Sequence, residues 1–526
     1  MTDGDGRRWW ALIAMAASVL VVGLDLTVLN LALPTIATQL HASTSDLQWF
    51  SDAYSLVLAA AILPAGRLGD RYGRKKVLLI ALALFGVSSA ACSYAASTGE
   101  LIAARAILGI GAAAIFPMSL SVIPVLFRPE ERQKAIALMA SATFLSFPIG
   151  PVVGGYLLDH FWWGSVFLIN VPIVVLALAA VTFLLPESRS EQRPGIDAPG
   201  VVLSSLGLTG LTYGFIKAGQ NGWGDTSALA TIGAGVVVLV VFVLWERRLR
   251  TGRALIELGL FRSAGFTWGT LLTTLVSFAM FGLFFALPQY FQDVRGVDAM
   301  GSGLRLLPMI GGMVVGMIGG TRLATPRKSA EGPRPPLATA KALVTIGFAF
   351  MAAGLGLGTT TSVSSGTGFG AAWIAIAGFG LGLAMPQAMN SALGALSAER
   401  SGSGSALISA LRQVGATIGV AVLGTILSSV YHSRLDVSHL TGALAATAKS
   451  SVAGGVGVAD AVHSAALLAN VRLAFVHGMD IMLWACGGIA LASAILALIF
   501  LPKLAGSPAS RAGDNETDVE RAGLVM

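Results

Sequence analysis

Apolar residues run along this chain in long blocks, cut by short clusters of glycine, proline and charge. About 20 apolar residues let an α-helix cross the hydrocarbon core of a bilayer, where each backbone N–H and C=O must bond within its own segment. By that measure the pattern predicts fourteen spans. They lie at 9–33, 47–69, 77–96, 100–124, 134–158, 163–185, 199–218, 226–246, 264–290, 302–321, 338–358, 368–394, 402–430 and 472–501. Their grouping reads as six, two and six: a bundle over 1–185, a pair with its linkers over 186–262, and a second bundle over 263–501. The second bundle includes a long external loop at 431–471, rich in Ala, Ser and Gly, and the polar tail 502–526 is expected to be disordered.

Composition places these blocks in a membrane. The chain is 55% hydrophobic and 12% charged, with mean hydropathy +0.77, against about 25% charged in soluble domains. The expected fold class is an all-α polytopic membrane protein. A net charge of +7 suits a nucleic-acid binder, but its placement is one-sided. Arg7, Arg8, the Arg67–Lys76 cluster, Arg128, Arg132, Lys134, the Arg247–Arg262 cluster, Arg322, Arg327, Lys328 and Arg400 share one side of the topology. Basic loops stay in the cytoplasm. Both termini are therefore expected there, with the chain in the cytoplasmic (inner) membrane, and nucleic acid is excluded as a partner. Cys92 and Cys486 lie within apolar runs without metal-ligand spacing, so no disulfide, metal or other cofactor is expected. No nucleotide loop or paired nucleophile and base stands in a cytoplasmic segment, so the chain does not read as an enzyme.

The few polar groups inside the spans carry the chemistry. Asp25 sits in Leu24-Asp25-Leu26-Thr27-Val28-Leu29-Asn30, within the first run. An ionised Asp in the bilayer interior costs roughly 2.5–3.5 kcal/mol on insertion scales, which marks it as functional. At about 1.5 Å rise per residue, Asp25, Asp52 and Arg105 share a depth, roughly 7–12 Å from the boundary opposite the basic loops. Burial favours the neutral acid and a nearby guanidinium the charged one. Movement of Arg105 between Asp25 and Asp52 would then switch their hold on a proton. Asp480, in the last span, is the comparable acid of the second bundle, and Arg412 needs a partner or a water-filled cavity. Asn30, Tyr54, Phe144, Gln289, Gln387 and Asn390 are the candidates for substrate contact, although the commoner use of such groups is packing or helix-to-helix hydrogen bonding.

Three motifs add a resemblance. Gly66-Arg67-Leu68-Gly69-Asp70-Arg71-Tyr72-Gly73-Arg74-Lys75-Lys76 combines turn glycines, an acid for a helix N-terminus and solvated bases. It resembles the loop signature of the major facilitator superfamily, which implies that Gly66, Asp70, Arg71, Gly73 and Arg74 form a latch favouring the outward-open state. Leu101-Ile102-Ala103-Ala104-Arg105-Ala106-Ile107-Leu108-Gly109-Ile110-Gly111 is similar to the fourth-helix signature, whose arginine is linked to proton transfer. The chain departs from that pattern at Leu108, where a glutamine often stands. Gly150, Pro151, Gly154 and Gly155 resemble the antiporter signature, found mainly in exporters. The Asp25 stretch, Gln48-Trp49 with Tyr54, Phe167-Leu168-Ile169-Asn170-Val171-Pro172, Leu287-Pro288-Gln289-Tyr290-Phe291-Gln292 and Arg412-Gln413-Val414-Gly415 resemble landmarks of the fourteen-helix drug/proton antiporter branch.

The resemblance implies a monomeric, proton-coupled exporter of lipophilic, cationic drugs or antibiotics. A dedicated exporter of one endogenous metabolite or antibiotic is the alternative, and a ligand-sensing membrane scaffold a further reading. Each charge crossing about 100 mV gains roughly 2.3 kcal/mol. Exchange of one proton for one monovalent cation gains nothing from voltage, whereas two protons do, and Asp25 with Asp52 offers two sites. Proteoliposomes given a voltage but no pH gradient should therefore export a monovalent cation. Silence there, with activity under a pH gradient, contradicts two-proton exchange.

Overall fold

The computed structural model describes residues 4–40, 42, 44–189, 197–249, 256, 258–325, 327–329, 332–334, 337–396 and 401–502. The first half holds α1 (Gly4–Gln39), α2 (Thr44–Tyr72), α3 (Arg74–Ser93), α4 (Thr98–Leu126), α5 (Pro129–His160), the short α6 (Ser165–Leu168) and α7 (Asn170–Leu184). A pair follows, α8 (Ala198–Asn221) and α9 (Thr226–Arg248). The second half holds α10 (Ala264–Gln289), α11 (Ala299–Ala324), α12 (Ala340–Gly358), α13 (Thr367–Leu393), α14 (Ser401–Arg434), α15 (Gly442–Ser450), α16 (Val452–Ala461) and α17 (Ala465–Phe500).

Local chemistry sets the helix starts. Ser97 accepts the Glu100 N–H at 3.3 Å while the Glu100 carboxylate accepts the Ala96 N–H at 2.8 Å, a reciprocal cap opening α4. Asp225, Asp298, Thr339 and Ser464 accept first-turn N–H groups at the starts of α9, α11, α12 and α17. Among the described residues, twelve helices are long and apolar enough to cross a membrane. The spans expected at 47–69 and 134–158 fold as α2 and α5, which have the length but do not join that set. Both helices include side chains that lie outside the described residues. The expected count of fourteen is thus not established.

Two further differences have local causes. Between α11 and α12, β1 (Arg327–Ser329) pairs antiparallel with β2 (Gly332–Arg334). Pro333, within β2, cannot donate a helical N–H and disfavours a helix here. The expected loop 431–471 is largely helical, because α14 runs on to Arg434, Ala-rich α15 and α16 follow, and α17 starts at Ala465. This cap is fixed by the Tyr431 hydroxyl, which donates to the Ala448 carbonyl at 2.8 Å. Beside it, the backbone N–H and hydroxyl of Ser438 hold the exposed Asp436 carboxyl below the usual carboxylate range. That turn is therefore at full strength above the ordinary Asp range and weakens as pH falls through the lowered value. The tail expected to be disordered, 502–526, lies outside the described residues from 503 onward.

Helix pairs α2–α4, α3–α4 and α1–α5 build the first half, and α11–α13, α12–α13 and α10–α14 the second. The halves meet through α5–α11, α2–α14, α4–α14 and α5–α13, while α8 packs on both α2 and α14. One apolar cluster runs through this junction, joining Ile115, Met118 and Phe127 of the first half to Met389, Leu393, Leu396 and Leu407 of the second. These residues lie at the helix ends that bear the Arg67–Lys76 loop, here termed the basic end. The other two clusters stay within one half each, one running along the second half and one lying in the first half away from the basic end. The molecule is therefore sealed at its basic end.

Close helix approach rests on glycine, since lipid gives no hydrophobic force between helices and backbone contact must replace it. A Cβ on Gly378 would come within 2.9 Å of the Met309 Cα, and one on Gly382 within 2.7 Å of the Met313 Cα. Both press α13 onto α11. Gly378→Leu should destabilise the protein by about 1–3 kcal/mol or more, read as a lower melting temperature in detergent. An unchanged melting profile contradicts this packing.

Candidate functional site

Asp25 and Arg105 meet inside the first half. Arg105 Nη1 donates to Asp25 Oδ2, and the two residues are 0% and 2% exposed for Arg105 and Asp25 respectively. Helix α1 supplies the acid and α4 the base, so the pair bridges two helices far apart in the chain. Arg105 Nε donates to the Phe50 carbonyl of α2 at 2.8 Å. Its guanidinium also lies 4.5 Å from the centroid of the Tyr54 ring and 6.0 Å from that of Phe167. The ring faces offer the cation a partner where water is absent. Asp25 Oδ1, Arg105 Nη2 and the Tyr54 hydroxyl keep no hydrogen-bond partner among the described residues. The pair is thus neutralised but not saturated. It sits against Val28, Leu29, Leu101, Ala104 and Phe167, an apolar wall in which an unpaired charge is costly.

The glycine-rich turn of α5 holds the Asp25 helix in place. A Cβ on Gly154 would meet Val28 Cγ1 at 2.9 Å and Leu31 Cδ2 at 3.4 Å, one on Gly150 would run into Thr27, and Gly155 faces Leu31. Thr27 Oγ1 also reaches the Ser146 carbonyl at 3.4 Å. The side chain of Pro151 lies outside the described residues.

At the basic end the α2–α3 turn is a second buried ionic site. Arg74 Nη2 donates to Asp70 Oδ1 at 2.7 Å, with both side chains buried. Gly73 takes φ +115°, open to glycine at little cost, and a Cβ there would press on the Glu187 carboxylate. Glu187 Oε1 accepts the Lys75 N–H at 3.1 Å, Lys75 Nζ donates to the Thr182 carbonyl at 2.7 Å, and Arg74 N donates to the Ser188 carbonyl at 2.8 Å. The turn is therefore clamped to the end of α7. Arg71 instead lies over its neighbour Tyr72, and Gly66 is buried within α2.

Residues 15–420 match the Major Facilitator Superfamily. The chain belongs to that family. It is similar to the "Tetracenomycin C resistance and export protein" of Streptomyces glaucescens, 32% identical over 94% of this chain and 91% of the relative. It is likewise similar to the "Multidrug efflux pump LfrA" of Mycolicibacterium smegmatis, 34% identical over 90% of this chain and 92% of that one. The crystal structure of the human organic anion transporter MFSD10 (TETRAN) superposes with a TM-score of 0.61, covering 94% of this chain and 100% of that one. At 14% identity this likeness concerns the fold alone.

Within this Major Facilitator fold the other sequence candidates scatter. Tyr54 is turned to the ion pair, buried in the first half. Gln289 Nε2 donates to the Phe285 carbonyl of its own helix at 2.8 Å. Gln387 is buried on α13, its Oε1 without a partner among the described residues, and Asn390 is half-buried one turn on. Asp480 is half-buried on α17 and does not join Asp25; its Oδ1 is unpartnered, while His477 Nδ1 contacts the Leu473 carbonyl. The side chains of Asn30, Asp52 and Phe144 lie outside the described residues. Reading the chain alone marked Phe167 only as part of a family landmark, and did not single out Phe50 at the pair or Glu187 at the clamp. Phe50 acts through its carbonyl, which every residue has, so no sequence signal marks it.

Removing one partner of a buried ion pair strands the other charge, at about 3–5 kcal/mol. Asp25→Asn and Arg105→Gln should each destabilise the protein on that scale, whereas the double variant should cost less than their sum. Melting temperatures of the four proteins check this, and simple additivity speaks against a coupled pair.

Proposed function

We propose that this chain expels lipophilic drugs or antibiotics across the cytoplasmic membrane in exchange for protons. The observation that carries the reading is the Asp25–Arg105 pair, sealed in apolar surroundings in a protein whose family moves small molecules. The relatives' names supply the cargo class: one exports tetracenomycin C and another is a multidrug efflux pump.

In this reading the basic end is cytoplasmic, because loops rich in Lys and Arg stay inside. Both termini then lie in the cytoplasm, and the state sealed at the basic end faces outward. The chain works as a monomer of two six-helix bundles, with α8 and α9 between them. The Asp70–Arg74 pair and the Gly73 turn form the latch of that outward state. A proton arriving at Asp25 neutralises the carboxylate and frees Arg105, which keeps the Phe50 carbonyl and the Tyr54 face. Loss of the cross-link between α1 and α4 lets α1 shift along the glycine face of α5, and the bundles rock. Asp52 and Asp480 are the additional acids of the cycle. Asn30, Phe144, Gln289, Gln387 and Asn390 are candidates to meet cargo between the bundles.

A second reading, a dedicated exporter of one endogenous antibiotic, is favoured by the Streptomyces relative, whose name carries a single compound. A resistance panel separates the two: many unrelated compounds, or one class.

Cells making the protein should expel ethidium, and a protonophore should stop that efflux. Asp25→Asn should lower it about tenfold or more, in line with loss of a group used in every cycle. Efflux that ignores both the protonophore and the substitution rules the reading out.

A further inference from the structure

Arg412 is a half-buried arginine deep within a span, and it is placed quite differently from Arg105. It stands 11 residues into the 34-residue α14, about 16 Å along the helix and too deep to reach water at its end. Its guanidinium carbon lies 4.0 Å from the centroid of the Phe116 ring on α4, in the other half. Among the described residues no carboxylate pairs with Arg412 and no hydrogen-bond acceptor serves it. A mid-membrane arginine normally has such a partner, so this one is incomplete. It cannot serve as a proton carrier, because guanidinium stays protonated in proteins.

Its surroundings describe what would complete it. Phe116 lies 11 residues, three turns, beyond Arg105 and so shares its face of α4. Arg412 and Phe116 are both half-buried, so the seam between α4 and α14 leaves part of each uncovered. Just beyond, the seam is closed by Ser405 Oγ donating to the Pro117 carbonyl at 3.0 Å. A neighbouring junction closes through Ser141 Oγ and Met317 Sδ at 2.9 Å. The result is a planar, five-donor cation on an aromatic shelf, above a sealed floor. Guanidinium matches a carboxylate through two parallel N–H···O bonds, and an ionised phenol through one or two. The Phe116 ring offers an aromatic body an offset or edge contact.

We propose that Arg412 and Phe116 form the recognition point for the acidic group of a planar aromatic substrate, a carboxylate or an ionised phenol. The cargo range then extends from cations to aromatic acids. An acid that takes over the guanidinium weakens its hold on Phe116, a contact between the two halves. Cargo thereby favours the state in which α4 and α14 part, since a ligand shifts an equilibrium only through its unequal affinity for the two states. As a statement about cargo this rests on the efflux reading, but the binding itself is measurable on the purified protein.

The test uses the full chain in lipid nanodiscs, with 9-anthracenecarboxylate and its methyl ester as fluorescent probes. The acid should bind about tenfold or more tighter than the ester, the worth of hydrogen bonds to a charged group. Arg412→Gln should erase that preference, Arg412→Lys should reduce it by keeping charge without the planar fork, and Phe116→Leu should weaken acid and ester alike. Gel filtration and melting profiles confirm that each variant is folded. Equal binding of acid and ester by the unsubstituted protein overturns the proposal, as does an undiminished preference in Arg412→Gln. Should Arg412→Gln not fold, an undiminished preference in Arg412→Lys overturns it instead. Ethidium efflux by the unsubstituted protein is followed in parallel. Its absence counts against the efflux reading, whereas the acid-to-ester ratio decides this one.

Discussion

A charge in hydrocarbon has no solvent to neutralise it, so it must find its opposite within the protein. Asp25 and Arg105 solve that problem for each other, and much of the first half is arranged around their contact. Arg105 is positioned by the Phe50 carbonyl and the Tyr54 ring of α2, while Asp25 is held by the packing of α1 on α5. The glycines at 150 and 154 matter because they let α5 close on Thr27 and Val28, the residues just after the acid. The contact therefore ties three helices together, α1, α2 and α4.

The same logic explains the two ends of the molecule. At the basic end a second acid and base, Asp70 and Arg74, are buried together, and the turn beside them is clamped by Glu187 and Ser188. A shared apolar cluster there joins the halves, whereas the other two clusters each stay within one half. Closure at one end is what a carrier that exposes one face at a time requires. The ion pair lies between these regions, on helices that touch both.

The span pattern was readable because the bilayer allows so few solutions: helices of about 20 residues with all backbone bonds satisfied. Asp25, Arg105 and the Gly73 turn stood out for the same reason, being polar or permissive residues in runs that otherwise forbid them. Pairing was harder. Depth along each helix placed Asp25 and Arg105 level with each other, but helix rotation decides which groups face each other, and rotation is set by glycine contacts spread over several helices. The carbonyl of Phe50 and the carboxylate of Glu187 carry no local signature, since their importance comes from what folds against them. The helices α15 and α16 were hidden by composition: Ala, Ser and Gly read as a loop until Tyr431 gives them something to pack on.

The central claim is that Asp25 exchanges a proton for cargo. Purified protein in a weakly buffered solution, mixed with saturating ethidium, reports this directly through a pH indicator. The account predicts proton release on binding, lost in Asp25→Asn. Release of equal size from both proteins contradicts it.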